Sequence, residues 1–273
     1  MEAVDLLEAL AWRSALTPPP NAEDVHVTRA VHPRPVELGR ARVPEGIRLY
    51  AIGDVHGRLD LLNRLLARIE ADIADRPVEH AIHVFLGDYI DRGPASKEVF
   101  DRLIALCATQ LAVFLRGNHE TYLSEFLTDP GVLSEWKQLG GLATLLSYGL
   151  DPSSDCGAEE EQRLSQALAR TLPPAHRQLL GIMRPSFTCG DFFFVHAGIR
   201  PGTPLDKQDE VDLLWIREEF LLSQDLYEKV IVHGHTPMPE PQIYPNRINI
   251  DTGAYATGRL TCLALEGNRI SFI

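Results

Sequence analysis

From residue 47 onward, short apolar runs alternate with longer stretches whose apolar positions recur every three or four residues. Residues 47–52, 81–86 and 112–115 are short, largely apolar runs, broken only by Arg48 and His83, and read as strands. Residues 59–73 place Leu62, Leu65, Leu66 and Ile69 on one helical face, and residues 95–107 read as a second helix. Strand and helix alternating at this spacing predict βαβ units around a buried sheet. Residues 119–183 read as mostly helical, broken at 151–154 and 173–174. Strands are predicted again at 192–195, 230–232, 259–265 and 269–273. The last two flank Glu266-Gly267-Asn268, a hairpin turn. Before residue 47 the pattern differs. Residues 2–16 suit a short amphipathic helix with Val4, Leu6, Leu7, Leu10, Trp12 and Leu16 as its apolar positions. Pro18, Pro19, Pro20, Pro33, Pro35 and Pro44 then exclude regular helix, because proline lacks the amide donor. The expected organisation is an N-terminal arm over 1–46, helix plus proline-rich linker, and a main domain over 47–273. A helical insertion is expected at about 120–185.

The strands end in polar clusters. The first runs into Gly53-Asp54-Val55-His56-Gly57, the second into Gly87-Asp88-Tyr89-Ile90-Asp91-Arg92-Gly93, and the third into Arg116-Gly117-Asn118-His119-Glu120. Two later strands end in His196-Ala197-Gly198 and His233-Gly234-His235-Thr236. Sheets of this kind bind ligands beyond the carboxyl ends of their strands. One such cluster is an ordinary turn, since Asp and Gly fill turns everywhere. Five in succession, holding five of the ten histidines, are not. His26, His32, His80, His83 and His176 lie outside the clusters and are assigned structural roles. Asp54, His56, Asp88, Asn118, His196 and His235 are too many ligands for one open tetrahedral site and suit two ions sharing a carboxylate. Oxygen and imidazole donors without thiolate select manganese, iron or zinc. Paired ions of this kind serve phosphoester hydrolysis.

Composition narrows the setting. The chain has 273 residues, 26 basic and 38 acidic side chains, and a net charge of -12. An open nucleic-acid surface would need the opposite excess, so no nucleic-acid partner is expected. No apolar run approaches the ~20 residues of a membrane span, and the start Met1-Glu2-Ala3-Val4-Asp5 lacks a secretory pattern. Cys107, Cys156, Cys189 and Cys262 show no C-x-x-C spacing. A cytoplasmic protein without membrane partners is expected. Two divalent ions would bring the charge from -12 to -8, leaving a locally positive site behind an acidic surface.

The five clusters resemble the metal-site motifs of the phosphoprotein phosphatase family, within the calcineurin-like metallophosphoesterases. The resemblance spans roughly residues 47–273. The Gly234-His235-Thr236-Pro237 ending looks more like bacterial and phage serine/threonine phosphatases than eukaryotic catalytic subunits. Bacterial symmetrical diadenosine tetraphosphate hydrolases share the motifs. The resemblance implies an α/β (α+β) fold, a central mixed β-sandwich flanked by helices. It implies one ion on Asp54, His56 and Asp88, and a second on Asp88, Asn118, His196 and His235. A hydroxide bridging the ions would attack phosphorus. His119, oriented by Asp91, would protonate the leaving oxygen. Arg92 and Asn118 would bind the phosphate. The family's second phosphate-binding arginine maps best onto Arg217, in Trp215-Ile216-Arg217-Glu218. Tyr255 is placed at the border of the site. Pro237 stands where broader metallophosphoesterases carry a second histidine of Gly-His-x-His, so His233 is assigned a supporting role.

The leading expectation is a phosphatase acting on phosphoserine and phosphothreonine in phosphoprotein or phosphopeptide substrates. The alternative is a symmetrical dinucleoside polyphosphate hydrolase. Residues 121–184 contain few aromatics (Tyr122, Phe126, Trp136 and Tyr148), which tilts the expectation toward the protein substrate. An inactive binding module is the alternative of another class, and the complete ligand set argues against it.

Overall fold

The computed structural model describes residues 38–152 and 157–273. The helix predicted at 2–16 and the proline cluster at 18–35 lie outside the described residues, as do residues 153–156 with Cys156. In chain order the elements are β1 (Ile47–Ile52), α1 (Leu59–Asp75), β2 (His80–Phe85), α2 (Ser96–Cys107) and β3 (Leu111–Phe114). Five helices follow: α3 (Asn118–Phe126), α4 (Leu133–Leu139), α5 (Gly141–Ser147), α6 (Ala158–Thr171) and α7 (Pro174–Ile182). Then come β4 (Ser186–Cys189), β5 (Phe192–Val195), α8 (Glu210–Trp215), α9 (Glu218–Leu221), β6 (Val230–His233), β7 (Gln242–Ile243) and β8 (Arg247–Asn249). The chain closes with α10 (Ala254–Thr257), β9 (Cys262–Glu266) and β10 (Arg269–Phe272).

The strands form two mixed sheets, ordered β10-β9-β1-β2-β3 and β4-β5-β6-β8-β7. In the first, β1, β2 and β3 are parallel, and β9 pairs antiparallel with both β1 and β10. In the second, β5, β6 and β8 are parallel, with antiparallel β4 and β7 at the edges. All six residues of β1 are buried, because both faces of its sheet are covered. Leu49, Ala51, Val84 and Leu86 face Phe194, Val230, Val232 and Ile248 of the second sheet. Tyr50, Ile52, Phe85 and Phe114 turn the other way, onto Leu62, Leu65, Phe100 and Trp136 of the helices. The outer face of the second sheet packs Val195 and Ile231 against Leu213 and Phe220.

The two facing mixed sheets with helices outside them are the central mixed β-sandwich that the resemblance implies; the apolar periodicity by itself pointed only to a buried sheet. The strand predicted at 259–265 begins at Cys262; before it, the Arg259 carbonyl accepts from the Thr252 hydroxyl and the Thr261 carbonyl accepts from the Gly53 N–H. Strands β4, β7 and β8 went unpredicted; β7 and β8 span two and three residues, too short to show a period. Ala41 and Val43 are buried against the inter-sheet core, and the Val43 N–H donates to the Gly267 carbonyl. No helix among the described residues is long and apolar enough to cross a membrane.

Phe85 is fully buried and stacks on Phe114 at 5.2 Å. Phe85→Ala should cost about 3–5 kcal/mol. Urea denaturation should show a lower midpoint at similar slope; an unchanged midpoint would refute this packing.

Candidate metal centre

Six strand ends meet in one place. Asp54 and His56 follow β1, Asp88 follows β2, and Asn118 and His119 open α3 just after β3. His196 follows β5, His235 follows β6, and Asp251 follows β8. All eight side chains are buried. Among the described residues, five non-glycine residues have positive φ: His56, Asp88, Asp91, Arg92 and His235. Three of them belong to this cluster, and Asp91 and Arg92 follow Asp88 in the same loop. A left-handed backbone costs a side-chain-bearing residue roughly 1–3 kcal/mol, so such residues persist only where surrounding structure enforces them. Two glycines permit the crowding. A Cβ at Gly117 would overlap Asp88 Oδ1, and one at Gly234 would overlap Asp54 Oδ1.

Two groups of donors could each hold a metal ion: His56 with Asp88 and His119, and Asp88 with His196 and His235. Asp88 belongs to both. Its Oδ2 lies 3.5 Å from His56 Nε2 and 3.7 Å from His119 Nε2, and its Oδ1 lies 3.4 Å from His196 Nε2. Asn118 Oδ1 stands 2.9 Å from His196 Nε2 and 3.0 Å from His235 Nδ1. The sequence-predicted ligands of the second ion are thus brought together. In the first group His119, not Asp54, makes the tight triad. Asp54 Oδ2 accepts the His235 N–H at 3.0 Å, while Oδ1 is buried with no partner.

Hydrogen bonds set the imidazole tautomers. His56 Nδ1 donates to the Ile90 carbonyl and His196 Nδ1 to the Leu86 carbonyl, each at 2.9 Å. Both leave Nε2 as a lone-pair donor facing inward, the usual arrangement of a ligating histidine. Burial lowers the His56 pKa to about 3 and pulls His196 and His235 down as well. Burial would raise Asp88, but His196, His119 and His56 outweigh it and hold its carboxyl below the usual range. Asp54 is pushed well above that range by burial and then by the charges of Asp251 and Asp88. Three carboxylates crowded beside neutral imidazoles, with Asp54 Oδ1 orphaned, fit divalent cations with a preference for oxygen and nitrogen donors.

Beside these donors, His119 Nδ1 donates to Asp91 Oδ2 at 2.6 Å. The same oxygen accepts Trp136 Nε1–H at 2.7 Å, and Asp91 Oδ1 accepts the Thr144 hydroxyl. Asp91 cannot turn without breaking all three. Burial lowers the His119 pKa, yet the Asp88 charge and the Asp91 hydrogen bond together leave it raised. Arg92, an exposed residue, reaches to within 3.1 Å of His56 Nε2 and 3.3 Å of His119 Nε2. Its guanidinium lies 4.6 Å from the centre of the Tyr255 ring, which meets His56 edge-on at 5.4 Å. Arg217 sits by the opposite group, donating to Thr236 Oγ1 at 3.4 Å. Trp215 meets His235 edge-on at 6.0 Å, and Tyr122 meets Trp215 at 6.0 Å. His233 takes no part in either donor group. Its ring meets Phe220 edge-on at 5.0 Å, and burial lowers its pKa to about 3.

Some participants were not predicted. Asp251 obeys the same strand-end rule, but three-residue β8 hid the strand before it. Trp136 and Thr144 lie in the helical stretch and carry no local signal of contact with Asp91. Glu120 was legible only as a motif letter. Its carboxylate is fully buried and accepts the N–H groups of Asp88, Tyr89 and Gly117 at 2.8–2.9 Å. Its bond to the Gly117 N–H also satisfies the N-cap amide of α3.

The calcineurin-like phosphoesterase family model matches residues 47–270. The chain belongs to this family, a family of metallophosphoesterases. It is 30% identical over 235 residues to bis(5'-nucleosyl)-tetraphosphatase PrpE [asymmetrical] of Bacillus velezensis, covering 77% of this chain and 86% of that protein. The protein of the same name from Oceanobacillus iheyensis is 28% identical over 233 residues, covering 77% and 85%. In fold it resembles a cold-active protein-tyrosine phosphatase of a psychrophilic Shewanella: TM-score 0.51, 18% identity, covering 86% of this chain and 81% of that one.

Glu120→Gln replaces an acceptor oxygen with a donor facing backbone N–H groups. The cost should be about 1–3 kcal/mol, or roughly 2–12 °C in Tm by calorimetry. An unaltered Tm would show that the Asp88 turn does not depend on this carboxylate.

Proposed function

We propose that the chain hydrolyses dinucleoside polyphosphates, cleaving a dinucleoside tetraphosphate asymmetrically. The observation that carries this reading is that each donor group has an aromatic ring and an arginine beside it. Tyr255 stands with Arg92 beside His56, and Trp215 stands near Arg217 beside His235. A substrate with a base at either end of a phosphate chain calls for stacking surfaces and cations in that order. The names of the Bacillus velezensis and Oceanobacillus iheyensis relatives support the same choice and the asymmetrical outcome. The expectation of a phosphoserine/phosphothreonine phosphatase rested on motifs that both activities share. Its further support, the scarcity of aromatics over 121–184, overlooked Trp215 and Tyr255, which lie outside that stretch.

On this reading Asp54, His56 and Asp88 would hold one divalent ion, and Asp88, Asn118, His196 and His235 another. Bound there, such ions supply an activated water and screen phosphate oxygens. Arg92 and Arg217 bind the substrate's phosphates with their guanidinium forks. His119 carries a proton on Nε2 to the leaving phosphate oxygen, while Asp91 holds its Nδ1–H and fixes the ring. Trp136 and Thr144 keep Asp91 from swinging away.

His119→Asn should lower kcat by about 10²–10⁴, the usual worth of a general acid; near wild-type turnover would remove His119 from that role. Asp88→Asn should reduce tightly bound metal measured by atomic emission, and retention of a full complement would refute the shared-ligand assignment. The decisive measurement is a product analysis with diadenosine tetraphosphate alongside phosphoserine and phosphothreonine peptides. ATP plus AMP should form with the higher kcat/KM. Two ADP would overturn the asymmetrical cut, and faster peptide dephosphorylation would overturn the nucleotide reading.

A further inference from the structure

A cavity of about 470 Å³ lies at the edge of the second sheet, between residues 221–224 and 244–247. It does not include any residue of the metal centre. Its two walls are tied together by Asn246, whose side-chain amide donates to the Ser223 and Asp225 carbonyls at 3.1 and 2.9 Å. Arg247 lines it and is only 5% exposed. A guanidinium offers five N–H donors. Here Nη2 donates to the Leu221 carbonyl at 2.5 Å and Nη1 reaches Asn246 Oδ1 at 3.4 Å, while buried Nε has no acceptor. No carboxylate forms an ion pair with Arg247 among the described residues. The Tyr244 ring stacks 4.0 Å from the guanidinium and is 39% exposed on its way to solvent, while Phe220 lies on another side at 5.8 Å.

A buried cation without an anion is costly, and a protein that keeps one in a cavity keeps it ready for a counter-charge. Burial lowers the Arg247 pKa, the direction expected of a charge that lacks its counter-ion. Its Nε–H is unspent and each Nη carries a second N–H, so the guanidinium can still donate to the oxygens of an anion. A volume of about 470 Å³ lies in the range of small-molecule sites and exceeds what a bare ion needs. We infer that this cavity binds the phosphate or carboxylate oxyanion of a small organic molecule, held by Arg247 beneath Tyr244. The inference does not rest on the proposed substrate of the metal centre.

The test is side-chain ¹⁵N NMR of the full chain loaded with magnesium, titrated separately with inorganic phosphate, AMP and acetate. The Arg247 Nε–H resonance should move saturably with at least one of them, and the phosphate and acetate arms tell which oxyanion is preferred. Arg217→Ala should leave that shift in place, which separates the cavity from the metal centre. Arg247→Lys, which keeps the charge and loses the fork, should weaken the binding roughly tenfold or more and leave p-nitrophenyl phosphate hydrolysis unchanged. An Arg247 resonance that stays still with all three anions would overturn the site and make Arg247 a strut for the Leu221 carbonyl. So would a shift that vanishes in Arg217→Ala.

Discussion

A carboxylate that both halves of the centre share must be held where water cannot reach it. Asp88 is that group: 2% exposed, left-handed in its backbone, and flanked by imidazoles on both oxygens. Its position follows from Glu120, which gathers the N–H groups of Asp88 and Tyr89 and so clamps the β2 exit to the start of α3. The two acids play opposite parts. Glu120 spends its lone pairs on the backbone, whereas Asp88 keeps its own for the centre.

The same division runs through the site. Carbonyl groups at Leu86 and Ile90 take the outer nitrogens of His196 and His56, so that the inner nitrogens stay open. Asp91 is locked by an indole and a hydroxyl from the helical layer, and locks His119 in turn. Conformational cost is thus concentrated at five left-handed residues and offset by the ordered strands and helices around them.

How much of this was legible depends on length and locality. Strands β1, β2 and β5 are apolar runs because neighbours cover both faces, and their residues could be read directly. The five polar clusters were legible for the same reason, since each follows such a run. β8 was too short to register, and Asp251 was lost with it. Contacts such as Trp136 with Asp91, 45 residues apart, leave no trace in either local pattern. The β-sandwich was legible only through the motif resemblance, because its two sheets depend on which strands pair, and β6 with β8 is a pairing that periodicity does not report.

The donors come from both sheets: Asp54, His56, Asp88 and Asn118 from the ends of the first, His196 and His235 from the second. Contacts across that seam join residues 181 positions apart (His235 with Asp54) and 110 apart (His196 with Leu86). The first donor group (His56, Asp88 and His119) comes wholly from the first sheet, but the second (Asp88, His196 and His235) straddles the seam, so a cation there would meet its ligands only once the sheets have docked. Uptake at that second group would therefore fall late in the folding order. By mass action, a cation at a hundred times its dissociation constant would add about 2.7 kcal/mol to the docked state. Its withdrawal would loosen the seam before it disturbed either sheet.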